Sequence, residues 1–102
     1  MSRISALYRK KPVVVEAFQF LGESTLARDG DEWAAPGWFV DAVLEPSVWA
    51  YPDHIRIVTD EGTMTADIGD WIIRGVKGEL YPCTNEVFEM TYEPAEPQQE
   101  EG

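Results

Sequence analysis

From His54 onward, apolar and polar positions alternate with a period of two. In "HIRIVTDEGTMTADI", Met64, Ala66 and Ile68 take turns with Thr63, Thr65 and Asp67, which is the pattern of a strand with one buried face. Asp60-Glu61-Gly62 interrupts the alternation and supplies a turn, with glycine where positive φ is needed. A first hairpin is predicted there. A second is predicted in "GDWIIRGVKGELYPC", with residues 71–74 as one arm and 79–83 as the other. Between the arms, Val76-Lys77-Gly78 fits a type I turn closed by a left-handed glycine.

Upstream the period becomes helical. In "APGWFVDAVLEP", Trp38, Phe39, Ala42 and Val43 recur at helical spacing and Pro46 ends the run. Residues 12–20, "PVVVEAFQF", carry the β-branched and aromatic content of a strand, with Pro12 tolerable only at its first position or on an edge. "GESTLARDGDE" reads as a loop. In "TNEVFEMTYEP", Thr84 or Asn85 is placed to cap a single helical turn, after which Phe88, Met90 and Tyr92 alternate like a closing strand. These elements predict an α+β domain: a compact, twisted, hairpin-rich antiparallel sheet of five or six strands with one main helix against it. Residues 1–93 are assigned to that domain, and 94–102, acidic and without an apolar face, to a disordered tail.

Composition narrows the function. A chain of 102 residues supports one core, and 44% hydrophobic residues with 12% aromatics supply it without a metal or a disulfide. The single cysteine, Cys83, excludes an internal disulfide and any cysteine-only metal cluster. With 19 acids against 8 bases the net charge is −11, which argues against duplex nucleic acid as a partner, because that binding draws on phosphate neutralisation. No apolar run approaches the roughly 20 residues of a membrane span, and the start lacks a secretory pattern. No membrane partner is expected. Four of the basic residues, Arg3, Arg9, Lys10 and Lys11, crowd the beginning while the tail is acidic. Four tryptophans, four tyrosines and four phenylalanines exceed what one small core hides, so a homodimer is expected.

Catalytic chemistry is thinly supplied. His54 and Cys83 are the only histidine and cysteine, no glycine loop has phosphate-binding spacing, and acid pairs such as Asp60 with Glu61 carry no weight among 19. A non-enzymatic protein with no cofactor and no metal is expected. Binding is better supplied: on the second hairpin Trp71 and Ile73 point one way, Ile72 and Arg74 the other, while Glu79, Tyr81 and Cys83 share a face of the returning arm. Trp71, Arg74, Lys77 and Tyr81 are therefore the candidate ligand-binding residues, suited to a small planar anion such as a nucleotide. The competing reading makes Trp71 and Tyr81 core and leaves Arg74 and Lys77 solvated. Trp33, Trp38 and Trp49 pose the same choice, with core or a subunit interface favoured for Trp38.

Two segments, "YRKKPVVVEAFQF" and "EGTMTADIGDWIIRGVKGELYPCTNEVFEMTYEP", resemble a family of small proteins of tailed bacteriophages and prophages. The family's ending is of the type G-D-W-I-I-x-G-V-K-G-E-x-Y-P-C followed by F-x-x-T-Y-E. This chain departs from it at Ile68, where a proline is usual, and at Thr84-Asn85-Glu86, where a lysine-proline-aspartate cap is usual. The resemblance implies an origin and no catalytic residue. The expectation it supports is a phage accessory protein in the host bacterial cytoplasm that binds a host protein or a small anionic ligand and blunts a host defence. The acidic surface could also mimic nucleic acid toward a basic host protein. The alternative is a minor structural or assembly protein of the virion.

Overall fold

Both predicted turns close on glycine. Gly62 has φ of 114° and Gly78 has φ of 88°, the left-handed region that side chains with a Cβ rarely occupy. At the second turn the Gly78 N–H donates to the Gly75 carbonyl at 2.9 Å and the Gly75 N–H to the Glu79 carbonyl at 2.7 Å. Gly78→Val is expected to lower stability by about 1 kcal/mol or more; an unchanged urea midpoint would count against the strain argument.

The computed structural model describes residues 13–95. The basic leader with Arg3, Arg9, Lys10, Lys11 and Pro12, and the tail from Glu96, lie outside the described residues. Along the chain come β1 (Glu16–Gln19), a 3-10 turn (Gly22–Leu26), β2 (Arg28–Asp29), β3 (Glu32–Trp33), α1 (Gly37–Leu44), β4 (Val48–Ala50), β5 (His54–Thr59), β6 (Gly62–Asp67), β7 (Trp71–Arg74), β8 (Leu80–Cys83) and α2 (Asn85–Thr91). The protein is α+β.

The strands form three small antiparallel sheets, ordered β1-β7-β8, β2-β3 and β4-β5-β6, in place of one sheet of five or six. The break between the two larger sheets has a local cause. After β6 the Asp70 carboxylate accepts the Asp67 N–H at 2.9 Å, the Asp70 N–H returns to the Asp67 carbonyl, and Gly69 takes φ of 100°. The chain therefore turns out of one sheet and into the next. Ile68, expected to continue the inward alternation, sits in this turn and is exposed. The segment expected to be a loop holds the 3-10 turn and the two-residue β2-β3 ladder, in which Arg28 opposes Trp33, with the guanidinium over the indole at 5.3 Å.

The ending departs most from expectation. Residues 85–91 form a helix, not a helical turn followed by a strand. Thr84 caps it, accepting the Val87 N–H at 3.3 Å. Phe88 and Tyr92 then stand four residues apart on one side, stacked at 5.0 Å, and Phe88 lies flat on Trp71 at 3.9 Å. Both periodicities place residues 88 and 92 on one face; helical spacing brings them one turn apart, so that Tyr92 stacks on Phe88 and Phe88 on Trp71, while Met90 turns away and is exposed.

Register determines where the cores lie. Residues directly opposed in an antiparallel ladder share a face. Opposing pairs Gln19–Trp71, Ala17–Ile73, Tyr81–Ile73 and Cys83–Trp71 therefore fall on one side of the β1-β7-β8 sheet, and Phe18–Ile72, Pro82–Ile72 and Leu80–Arg74 on the other. The second side meets α1 and the β4-β5-β6 sheet around Phe20, Phe39, Ile55, Ile57 and Ile72. The first side is covered by α2. Ile73, fully buried yet apart from the main cluster, belongs to this smaller core, so β7 packs on both faces.

Candidate binding cleft

Residues of α1 and of both hairpins together line a cleft of about 760 Å³. Its apolar walls come from Trp38 on α1, Met64 on β6, and Leu80 and Pro82 on β8. Trp38 is held edge-on against Phe18 at 5.8 Å, which fixes the indole while leaving it half-buried. The charged lining is one-sided: Asp41, Glu45, Asp60, Glu61 and Glu79 against Arg74.

Arg74 is already partnered. Its guanidinium donates to the Glu16 carboxylate at 2.9 Å, directly across the β1-β7 ladder. Glu79 accepts the Lys77 backbone N–H at 3.0 Å. The side chains of the other four acids accept no hydrogen bond and enter no ion pair among the described residues. Asp41 on α1 and Glu45, its C-cap residue, stand four apart, where like charges repel. They also lie toward the helix C-terminus, whose partial charge is negative, and the last turn holds no basic residue. The cleft thus concentrates uncompensated negative charge beside apolar wall.

The four residues expected to form one ligand cradle are divided by the sheet. Trp71 and Tyr81 are on the α2 side. The Trp71 indole N–H donates to the Asn85 side-chain oxygen at 2.9 Å while its face is covered by Phe88. Burial, with the Tyr92 hydroxyl and the Glu79 carboxylate nearby, pushes the Tyr81 hydroxyl up to about 12. Arg74 is on the opposite side with Glu16. Lys77 is exposed in the turn. Of the other tryptophans, Trp38 packs against the core, while Trp33 and Trp49 are exposed.

The cleft acids went unread in the sequence. Asp41 and Glu45 occupy the polar side of a helix whose apolar side alone gives the periodic signal, and Asp60-Glu61 reads as an ordinary turn. Only tertiary packing brings them together. Among the described residues no three His, Cys, Asp or Glu side chains converge as a metal site, and no helix is long and apolar enough to cross a membrane. The chain matches no protein-family model, no curated protein and no solved structure, so the reading of the cleft rests on its own geometry.

Proposed function

We propose that this protein is a non-enzymatic binding module whose cleft takes a positively charged segment of another protein. The observation that carries this reading is the set of four carboxylates, unpartnered among the described residues, that line a cleft also offering Trp38, Met64 and Leu80. A lysine or arginine entering it relieves the Asp41/Glu45 repulsion and offsets the helix C-terminus, while the stem of the same side chain lies along the apolar wall. A small anion meets the opposite conditions: five acids, and an arginine already occupied by Glu16.

The resemblance to phage proteins extends the proposal. The partner is then a basic host protein met in the host bacterial cytoplasm, and occupancy of its basic surface is the means of blunting a defence.

The test is calorimetry with a short alternating lysine-leucine peptide, its glutamate-leucine counterpart, and a set of mono-, di- and cyclic nucleotides. The lysine peptide is expected to bind, to weaken with added salt, and to lose at least roughly tenfold in affinity with Asp41→Asn/Glu45→Gln, since each charged contact contributes about 1.5–3 kcal/mol. Nucleotide binding without peptide binding would overturn the proposal.

A further inference from the structure

The outer face of the β4-β5-β6 sheet, turned away from the core, carries an arrangement that the cleft reading does not use. Its register places Trp49, Arg56 and Thr65 in one row across the three strands. In the next row His54 opposes Asp67, and Tyr51, whose N–H donates to the His54 carbonyl at 2.9 Å, stacks on the His54 ring at 4.6 Å. The imidazole Nδ1 is 2.7 Å from the Asp53 carboxylate, which fixes the ring and leaves Nε2 on the far side.

Two features separate this face from an ordinary solvated sheet. Trp49 and Tyr51 keep 43% and 39% of their surface exposed, two positions apart and therefore on one side. Arg56, directly opposite Trp49, makes no ion pair, side-chain hydrogen bond or cation–π contact among the described residues. In the β2-β3 ladder, where arginine likewise opposes tryptophan, the guanidinium covers the indole; at Trp49 it does not. The indole face and the five N–H donors of Arg56 stay open side by side.

The face also discriminates by charge. Arg56 at its centre opposes a cation, and the −11 net charge of the chain, with Asp53 and Asp67 at the edge of the platform, opposes an anion. A ligand that satisfies both has a flat C–H surface to lie on an aromatic ring, and uncharged hydroxyls to meet Arg56, Thr65, Asp67 and His54 Nε2. A neutral pyranose sugar has that chemistry. We propose that this face is a carbohydrate platform, with Trp49 as the stacking surface and Arg56 as the hydrogen-bonding anchor. It lies on the opposite side of the sheet from the core and does not depend on the cleft reading.

The experiment is saturation-transfer NMR with calorimetry on the full chain, using cello-, chito- and malto-oligosaccharides and, in parallel, adenosine and guanosine monophosphates. At least one neutral oligosaccharide is expected to bind. Trp49→Ala and Arg56→Gln should each weaken it by at least about tenfold. Both positions are exposed, so circular dichroism should show the fold retained, and Asp41→Asn/Glu45→Gln in the cleft should leave sugar binding unchanged. Absence of binding across the three sugar series overturns the proposal. So does sugar binding that survives Trp49→Ala, or a platform that takes the nucleotides and no sugar.

Discussion

Phe20→Ala is expected to cost about 3–5 kcal/mol, the range for emptying a fully buried aromatic site, and to bring the domain close to unfolding, given total stabilities of about 5–15 kcal/mol. Phe20 has no exposed surface and belongs to the main cluster. Its side chain anchors a backbone that alanine keeps, whose N–H donates to the Asp70 carbonyl at 2.8 Å and whose carbonyl accepts the Gly69 N–H at 2.7 Å. The residue pins the turn through which the chain leaves one large sheet and enters the other. Collapse of the pocket should therefore loosen both sheets together. Urea denaturation followed by far-UV and near-UV circular dichroism checks this: one coincident transition at much lower denaturant is expected, and a loss under 1.5 kcal/mol, the size of a volume-conserving swap, would sink the argument.

Phe88→Ala is expected to act locally, with a smaller loss of about 2 kcal/mol because the ring is only half-buried. It removes the ring sandwiched between Trp71 and Tyr92. The Asn85 side chain would then be the main remaining link of α2 to the sheet, accepting from the Trp71 indole and, at 3.4 Å, from Gln19. Amides of residues 85–91 should lose hydrogen-exchange protection while those of β5 and β6 keep theirs. Uniform loss across the chain would show that the smaller core is not a separate unit.

The difference between these variants mirrors what was legible in the sequence. Hairpins with glycine at a turn and a helix bounded by proline are written in contiguous residues, so β5 to β8 and α1 could be read directly. α2 could not, because Phe88 and Tyr92 fit alternation through Met90 as well as helical spacing, and only the presence of Trp71 beneath them decides between the two. The division into separate sheets depends on Asp70 reaching back to Asp67, a single side-chain contact with no periodic signature. At the candidate sites the residue types were visible and the grouping was not. Arg74 found its partner in Glu16, 58 positions away, while the tryptophan-arginine pairing expected on the second hairpin occurs in the open at Trp49 and Arg56.

The pairing of β1 with β7 also bears on how the chain folds. The two large hairpins close loops of only a few residues, whereas β1 must find β7 across more than fifty positions. Loop-closure entropy makes that second search costlier by about 2 kcal/mol, and contacts of long sequence separation form slowly. The hairpins are then the early structure and β1 the last strand to dock, arriving with Phe18 and, just behind it, Phe20. Interactions completed after the rate-limiting step govern how long the native state lasts rather than how quickly it is reached. The most buried ring among the described residues thus acts as a latch on unfolding.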